Sequence, residues 1–285
     1  MATELTQEVT EVSKLSKYPD GDSYMSLSLE DVFKLSRLHN VPGREVEIAA
    51  LETGVVPERY ARNMKTFSLW QQATLLKSYV SVVGLGGLGG VVIEILARMG
   101  VGTLTLVDGE TFEESNLNRQ FLSAEKMPHK TKAGAGARRI QAINSSVVVY
   151  VHKEYLTEKN SARLLGKSDV IVDSLGGLED RFVLERAAKK VGCPLVSAAV
   201  AGLTGHVTTV FPEDSGLELI YGKPDTLPSS GAEATLGCLP QVTTLLATLQ
   251  CSEVAKILVK KGAVLRNKMM IVDLLDNTFE VVRLL

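Results

Sequence analysis

A glycine-rich loop is the first feature of this sequence that could do chemistry. Gly84-Leu85-Gly86-Gly87-Leu88-Gly89 matches G-x-G-x-x-G, after a predicted strand and before a predicted helix. In such a loop the first glycine permits a tight turn, the second lets backbone amides approach a phosphate, and the third allows close helix packing. The helix N-terminus adds unpaired N–H groups and the positive end of a dipole. The loop therefore predicts a nucleotide site, and a glycine-rich turn without a ligand is the alternative.

An acidic residue follows the loop at a suitable distance. Asp108 ends the next predicted strand, nineteen residues after Gly89. A carboxylate in that position can accept hydrogen bonds from ribose hydroxyls. The loop and the acid together predict nucleotide binding, but a dinucleotide dehydrogenase and an ATP-using enzyme share both features.

Cationic residues both precede and follow the loop in the sequence. Arg119 lies in the block Ser115–Phe121, Lys132 begins a predicted helix, and Arg59 and Arg62 precede the first strand. A guanidinium can hold phosphate in a bidentate fork, and an ammonium can neutralise phosphate as a point charge. Three cationic positions, namely Arg119, Lys132 and the pair Arg59 and Arg62, suit a triphosphate better than the two phosphates of a dinucleotide, although a solvated surface charge is the ordinary role of each.

Alternating strands and helices must position these groups. The predicted strands are Tyr79–Val83, Thr103–Val107, Val147–Val151, Val170–Asp173 and Leu195–Ala198, and the predicted helices are Gly89–Met99, Lys132–Ile143, Ser161–Leu165 and Glu179–Val191. This rhythm predicts an α/β fold with a Rossmann-like, doubly wound, mostly parallel sheet.

The last third has a different pattern. A strand is predicted at Gly205–Phe211, a long loop at Glu213–Gly237, and a long helix at Gln241–Lys261. Two further strands, Met269–Asp273 and Thr278–Leu284, are joined by a short turn. The sheet is therefore expected to have a C-terminal antiparallel portion.

Residues 1–58 are predicted to form an N-terminal helical arm. Residues 1–27 are polar without a clear period, which favours partial disorder or an arm. A capping box at Ser28–Asp31 predicts a helix through Leu38, and a second helix is predicted at Arg44–Glu52. Two short helices could form a DNA-binding helix-turn-helix, but acidic residues match the basic ones here, so a packing arm or dimer contact is favoured.

Composition narrows the function classes. There are 31 Lys and Arg against 33 Asp and Glu, a net charge of -2 that argues against a nucleic-acid partner. The three cysteines form no C-x-x-C pair, which predicts neither a disulfide framework nor zinc. The N-terminus lacks a signal-peptide pattern, and the apolar run Tyr79–Ile93 is too short for a bilayer. We therefore expect a cytoplasmic protein without a membrane partner.

The motifs resemble a known family. Gly84–Gly89, Asp108 and Asn116-Leu117-Asn118-Arg119-Gln120 are similar to the adenylating enzymes of the ThiF/MoeB/HesA group, which includes the adenylation domains of ubiquitin-activating enzymes. Arg59–Asn63 and Lys132 fall where that family places them. The resemblance covers Arg59 to Leu285, so it implies an adenylating, nucleotide-binding domain at residues 59–285 preceded by the arm at residues 1–58.

The resemblance implies a reaction. Such enzymes bind Mg²⁺-ATP and the C-terminal Gly-Gly tail of a small ubiquitin-like sulfur carrier, and they adenylate the tail carboxylate with release of pyrophosphate. The activated carrier then serves sulfur transfer in cofactor biosynthesis, such as that of molybdopterin or thiamine. By resemblance, the loop Glu213–Gly237 covers the carrier's tail, and Arg62 enters the site of a neighbouring subunit, which implies a homodimer.

The resemblance also assigns residues. Asp108 would hold the ribose, while Asn116, Arg119, Gln120 and Lys132 would face the phosphates. The residues implied as catalytic are Arg62, Arg119, Lys132 and Asp173. The residues implied to bind the nucleotide are Gly84, Gly86, Gly87, Gly89, Asp108, Ser115, Asn116, Leu117, Asn118, Arg119, Gln120, Lys132, Gly176 and Gly177. No residue is predicted to be a metal ligand.

The sequence departs from the family at one position. Starting at Asp173, the last residue of a predicted strand, the family usually reads D-x-x-D-N; Asp173 matches the first acid, but Gly176 replaces the second. Its loss should weaken Mg²⁺ binding, because this hard cation needs oxygen ligands. Glu179 or Asp180 could reach the site instead, but roles as cap and surface residues of the following helix are favoured. Slow catalysis, a rearranged site, and lost catalysis with retained binding all stay open.

The remaining reactive side chains give weaker evidence for a chemical role. Cys238 is the candidate for a thioester-forming cysteine in the long loop, and a structural thiol is favoured. His129 and His206 are given no catalytic role. The alternative functions are an ATP-dependent tRNA-modifying relative, a nicotinamide oxidoreductase, and a catalytically impaired dimer that binds a ubiquitin-like partner.

Overall fold

Two sheets organise the structure, a computed structural model that describes residues 2–127, 129–228 and 230–285. The N-terminal elements are α1 Ala2–Val12, β1 Lys14–Lys17, β2 Ser23–Leu27, α2 Leu29–His39, α3 Gly43–Glu52 and β3 Val55–Pro57. The later helices are α4 Leu69–Lys77, α5 Gly87–Met99, α6 Lys132–Ile143, α7 Ser161–Leu165, α8 Leu178–Val191, α9 Glu218–Tyr221, α10 Glu233–Leu236 and α11 Pro240–Val259. The later strands are β4 Tyr79–Val83, β5 Thr103–Val107, β6 Val148–His152, β7 Val170–Asp173, β8 Leu195–Ala201, β9 Thr204–Val210, β10 Lys268–Asp273 and β11 Thr278–Arg283.

The large sheet has the strand order β11-β10-β9-β8-β7-β4-β5-β6. Strands β4 to β8 run parallel, whereas β9, β10 and β11 are antiparallel. Val83 at the end of β4 stands opposite Val107 of β5 and Asp173 of β7, so three carboxyl ends meet at one edge. The chain order reverses at β4, which is the position where open parallel sheets bind ligands. The predicted α/β class and mostly parallel sheet are confirmed.

Apolar strands buried on both faces explain the sheet. One core contains Val82, Val172 and Val196 of the strands packed against α5, α6 and α11. The other face packs Val83, Ile171 and Leu195 against α7 and α8. Parallel strands covered on both faces read as continuous apolar runs, which is why their bounds could be read closely from the sequence.

Helix α11 is long and apolar enough to cross a membrane by length and composition, and it is the one such helix within the described ranges. Within its apolar window, 61% of the residues are buried inside the protein. It packs along α5 and against β8 and β9. These contacts account for its composition as that of a core helix.

The N-terminal residues are more ordered than expected. Residues 14–27 form an antiparallel hairpin, and β3 adds in parallel to give a three-stranded sheet. Leu5 and Val9, one turn apart on α1, are buried with Leu27, Val32 and Val46 in a small core of their own. The expectation of partial disorder is therefore wrong for residues 2–27, while Met1 lies outside the described residues, and the helical arm also contains a sheet. Helices α2 and α3 are confirmed.

Buried polar contacts fix the N-terminal unit against the large sheet. The Glu47 carboxylate is fully buried and lies 3.2 Å from Arg59 Nε, and it accepts a hydrogen bond from the Tyr60 hydroxyl at 3.3 Å. Burial raises the pKa of Glu47, while Arg59 lowers it. Arg44 of α3 donates to Thr103 Oγ1 at 2.8 Å, at the start of β5. This arrangement agrees with the packing role that the sequence favoured for these helices.

The segment 213–237, which we call the crossover segment, is only partly irregular. It contains α9, a 3₁₀ turn at Pro224–Thr226 and α10, where a single long loop was predicted. Its end is tied to the large sheet because the Gly202 amide donates to the Gly237 carbonyl at 2.8 Å. The segment therefore passes over the carboxyl edge of the parallel strands.

Candidate functional site

A cavity of about 660 Å³ lies at the carboxyl edge of the parallel strands, beneath the crossover segment. This volume is within the range typical of small-molecule sites. The predicted residues that line it are Gly84, Gly86, Gly87, Asp108, Asn116, Arg119, Gln120, Lys132, Gly176 and Gly177. The fold thus brings together groups from five separate stretches of the chain.

The glycine loop forms the floor of the cavity, and its geometry requires glycine at two positions. Gly84 has φ +88°, and a Cβ atom there would lie 2.5 Å from the carbonyl oxygen of Ser174. A Cβ on Gly89 would lie 1.9 Å from the carbonyl oxygen of Gly84, so α5 could not approach β4 so closely. Gly86 is the N-cap of α5 and directs the free N–H groups of that helix toward the cavity.

Asp108 ties the loop to the end of β5. One carboxylate oxygen accepts the Leu85 amide at 2.7 Å, and the other accepts the Glu110 amide at 2.7 Å. Burial raises the pKa of Asp108, while these two backbone hydrogen bonds lower it. Each oxygen keeps a further lone pair, so the carboxylate can hold the loop and still accept a ribose hydroxyl.

Cationic groups face the loop from two sides. The Lys132 side chain is buried and its Nζ pairs with the Glu110 carboxylate. Arg119 donates to the Ser115 carbonyl at 3.1 Å and to Asn118 Oδ1 at 2.8 Å. Gln120 Oε1 is buried and has no hydrogen-bond partner in the described part of the chain, which marks it as an acceptor available to a ligand.

The remaining residues of the Ser115–Gln120 block position these groups. The Glu113 amide donates to Asn116 Oδ1 at 3.2 Å, which closes a short 3₁₀ turn. Asn118 donates to the Cys238 carbonyl at 3.1 Å, joining the block to the end of the crossover segment. Ser115, Leu117 and Asn118 lie beside the cavity rather than on its wall.

Asp173 is placed differently from the expectation. It is fully buried under the site and accepts Arg181 Nη1 at 2.8 Å and the Ser197 hydroxyl at 2.6 Å. Its other oxygen accepts the Leu175 amide at 3.0 Å. Asp173 is not among the residues that line the cavity, and its buried contacts suit a positioning role, while the catalytic role implied for it stays a prediction.

Arg181 was not singled out from the sequence, because an acid and an arginine eight residues apart form no recognisable pattern. It donates to Asp173 and, at 2.7 Å, to the Ala198 carbonyl. Burial lowers the pKa of Arg181, but Asp173, Tyr221 and Glu233 together raise it, with a net rise, so the guanidinium stays charged. This pair holds the segment Ser174–Gly177 in place.

Arg62 lies apart from the cavity. It is exposed on the 3₁₀ turn Glu58–Asn63 and does not line the cavity of its own chain. Among the residues implied as catalytic, it is therefore one that a single chain does not bring to the site.

Gly176 borders the cavity where the family carries an acid. A Cβ built on Gly176 would meet no atom of the described residues within 4 Å. Asp180, from the first turn of α8, lines both this cavity and a neighbouring groove, whereas Glu179 lines the groove alone. Of the two acids left open by the sequence, the structure brings Asp180 to the site.

The imidazole of His206 and the phenol ring of Tyr221 form the end of the cavity away from the glycine loop. His206 Nε2 lies 3.0 Å from the Tyr221 hydroxyl, and both line the wall. Burial, together with nearby Arg181, lowers the pKa of His206 to about 4, so the ring is neutral at pH 7. The sequence offered no signal for this pair, because the two residues lie on different elements.

Cys238 also lines the cavity. Burial raises the pKa of its thiol, while Arg119 lowers it, with a net rise. A thiol that is protonated at neutral pH is a weak nucleophile. The structural role favoured for this residue stays a prediction.

Sequence comparisons connect this site to known proteins. Residues 60–284 match the sequence profile of the ThiF family. The chain is 32% identical over 230 residues to the SAMP-activating enzyme E1 of Haloferax volcanii, covering 79% of this chain and 84% of that one. It is 28% identical over 293 residues to the adenylyltransferase and sulfurtransferase MOCS3 of Arabidopsis thaliana, covering 99% of this chain but 63% of the plant protein. The chain spans about half to two thirds of the MOCS3 proteins it matches.

Structure comparisons extend the likeness to the N-terminal unit. Escherichia coli MccB superposes with a TM-score of 0.69 at 18% identity, covering 95% of this chain and 92% of that one. A structure of MccB with ATP gives 0.68 at 19% identity, covering 95% and 94%. PaaA gives 0.67 at 21% identity, covering 96% and 99%. At these identities the likeness shows a shared fold.

Proposed function

The chain belongs to the ThiF family, and from this premise we propose that it is an ATP-dependent adenylyltransferase. Its acceptor is the C-terminal Gly-Gly carboxylate of a small ubiquitin-like sulfur carrier. The product is an acyl-adenylate for sulfur transfer in cofactor biosynthesis. The protein acts in the cytoplasm.

One observation carries the proposal. A single cavity joins a phosphate-binding floor, made by the glycine loop with Lys132 and Arg119, to a second end lined by His206 and Tyr221. A nucleotide alone would occupy only the first end of the cavity. The second end, roofed by the crossover segment, leaves room for an acceptor whose carboxylate must meet the α-phosphate.

The chemistry requires positioning more than acid–base groups. A carboxylate oxygen of the acceptor forms a bond to the α-phosphorus, the bond from that phosphorus to the bridging oxygen breaks, and pyrophosphate leaves with the bonding electron pair. The attacking carboxylate is already ionised at neutral pH, so no general base is needed. Lys132, Arg119 and the α5 N-terminus would neutralise charge on the phosphates, and Asp108 would hold the ribose.

We propose that the nucleotide binds as its Mg²⁺ complex, without zinc. Among the described residues no three His, Cys, Asp or Glu side chains group as a metal site. Mg²⁺ is commonly held by one or two carboxylates together with substrate phosphates, so a single carboxylate on the cavity wall fits this use. When bound, the cation would neutralise phosphate charge.

A second subunit would complete the site. Arg62 is exposed outside the cavity of its own chain. In a homodimer it would enter the neighbouring site and add positive charge beside the phosphates, as the family resemblance implies. We therefore propose that the active form is a homodimer.

ATP–pyrophosphate exchange tests the proposal. Purified protein should exchange labelled pyrophosphate into ATP when a small protein ending in Gly-Gly is added. Arg119→Ala should abolish exchange, whereas Arg138→Ala should keep it, because Arg138 is exposed on α6 outside the cavity. Binding of NAD without binding of ATP would overturn the proposal.

A catalytically impaired binding protein is the second candidate, and Gly176 is the observation that favours it. The family that the chain resembles has an acid at this position, and the missing carboxylate should weaken metal binding. Tight ATP binding and carrier binding without exchange would identify this function. The same assay therefore separates the two.

A further inference from the structure

Five carboxylates of the described residues line the nucleotide cavity, and three of them are already engaged. Asp108 accepts two backbone amides. Glu110 pairs with Lys132, and Glu154 accepts Arg163 at 2.8 Å and Asn160 at 3.0 Å. Each of these three carboxylates already has a hydrogen-bond or ion-pair partner. Asp180 and Glu233 complete the set.

Glu233 belongs to the far end of the cavity. Its carboxylate folds over Gly231, where a Cβ would lie within 3 Å of both oxygens. It also raises the pKa of buried Arg181, so its charge acts toward that guanidinium. The Glu233 carboxylate therefore lies over Gly231, and its charge acts toward Arg181.

Asp180 lies where a carboxylate is missing. It is the third residue of α8, whose N-cap is Gly177, and a side chain there reaches back over the start of the helix. Its Oδ2 lies 3.2 Å from the position that a Cβ on Gly177 would take. Asp180 is exposed, and it lines the nucleotide cavity beside Gly177 as well as the neighbouring groove. It has no hydrogen-bond or ion-pair partner within residues 2–127, 129–228 and 230–285.

A buried hydroxyl on the same wall also lacks a partner. Ser174 is 8% exposed, and its Oγ makes no hydrogen bond to any described residue. Its carbonyl borders Gly84 of the glycine loop, so this hydroxyl lies between the phosphate-binding floor and the start of α8. An unsatisfied buried polar atom at this point indicates a ligand with polar groups.

We propose that Asp180 supplies the protein carboxylate for the divalent cation of the bound nucleotide, from the first turn of α8, with Ser174 facing the same ligand. This inference rests on the proposed nucleotide binding. Mg²⁺ keeps several waters and takes its other oxygens from phosphates, so one carboxylate is sufficient. Position 176 then needs no acid, and Gly177, where a Cβ would lie 3.2 Å from Asp180 Oδ2, is the glycine whose missing side chain leaves room for that carboxylate.

The test is the effect of Mg²⁺ on ATP affinity, measured by calorimetry on the full chain. Wild type is expected to bind ATP more tightly with Mg²⁺ than with EDTA. Asp180→Asn should reduce that ratio at least about tenfold, with affinity in EDTA unchanged or higher, because a negative charge is removed. Glu179→Gln is the matched control, one residue away on the neighbouring groove, and should keep the wild-type ratio.

Three results would overturn the inference. They are an unchanged ratio in a folded Asp180→Asn variant, an equal loss in Glu179→Gln, and a loss that Glu233→Gln alone produces. Wild type that binds no ATP in either condition would instead overturn the proposed function, and the inference with it. A Mn²⁺-ATP complex, followed by the paramagnetic resonance of the metal, gives a second readout. Its spectrum should change in Asp180→Asn and stay unchanged in Glu179→Gln.

Discussion

At the scale of single residues, the most informative group is Lys132. Its side chain is 6% exposed, and Glu110, the acid it pairs with, is itself half exposed. Removing an ammonium from water is costly unless strong partners replace the solvent. A buried lysine beside a phosphate-binding loop is therefore explained best by an anionic ligand.

The first prediction concerns this lysine. Lys132→Ala should lower pyrophosphate exchange by roughly 100-fold or more, because it removes a preorganised charge from the phosphate end of the cavity. Lys130→Ala is the control, since Lys130 is exposed and lies outside the cavity. Equal activity of the two variants would contradict the role given to Lys132.

His206 gives a prediction on pH. The ring is neutral in the folded state because burial lowers its pKa to about 4 from 6.5. Between these values the unfolded chain binds a proton that the folded chain does not, so stability falls as pH drops through this window. The loss in the free energy of unfolding that comes from His206 over this pH range should be about 1–3 kcal/mol.

Chemical unfolding at several pH values measures this effect. His206→Gln should flatten the loss of stability between pH 6.5 and 4 relative to wild type. His129→Gln should leave it unchanged, since His129 is exposed. An identical pH profile for wild type and His206→Gln would show that the imidazole is accessible to protons in the folded protein.

At the scale of elements, burial decided what the sequence could predict. The bounds of β4 and β7 were predicted to the residue, because strands covered on both faces are uniformly apolar. Strand β1, with the sequence Lys14-Leu15-Ser16-Lys17, is largely exposed and was missed. Its pairing with β2 depends on contacts between segments, which a local pattern does not contain.

The residues of the site also fall into two groups, those that the sequence could predict and those that it could not. The glycine loop and Asp108 could be predicted, because each motif is local and its spacing follows from the strand–turn–helix geometry. The burial of Asp173 with Arg181 and the direction of Asp180 could not, because both depend on how α8 packs. An exposed and a buried acid look alike in a sequence.

A prediction at this scale tests the closeness of α5 to β4. In Gly89→Ala the new methyl would lie 1.9 Å from the Gly84 carbonyl, so the helix must shift. We expect a loss of about 1–3 kcal/mol in the free energy of unfolding and weaker ATP binding. Gly176→Ala is the control, because its methyl would meet open space among the described residues. Urea unfolding with wild-type stability for Gly89→Ala would contradict the packing.

At the scale of the whole molecule, the site is a product of topology. Val83, Val107 and Asp173 are adjacent in the sheet although up to 90 positions separate them in the chain. The crossover segment then returns from β9 to cover the edge, and Asn118 fastens its end through the Cys238 carbonyl. Arg62 is a predicted site residue that this single-chain arrangement leaves exposed and outside the cavity.

The proposed homodimer makes a prediction on complementation. Arg62→Ala and Arg119→Ala should each lack exchange, because each spoils every site of its own homodimer. Co-expressed, the two chains should recover roughly a quarter of wild-type activity, since about half of the dimers are mixed and each has one intact site. No recovery in mixed dimers verified by tags would show that Arg62 does not act across an interface.

The most direct test of the account is the mass of the acceptor itself. A small ubiquitin-like protein ending in Gly-Gly from the same organism would be incubated with the enzyme and Mg²⁺-ATP and measured intact. We predict an increase equal to an adenylyl group on the C-terminal carboxylate, absent with Arg119→Ala and removed by hydroxylamine. An acceptor of unchanged mass, with ATP bound to the enzyme throughout, would contradict adenylation as the function of this site.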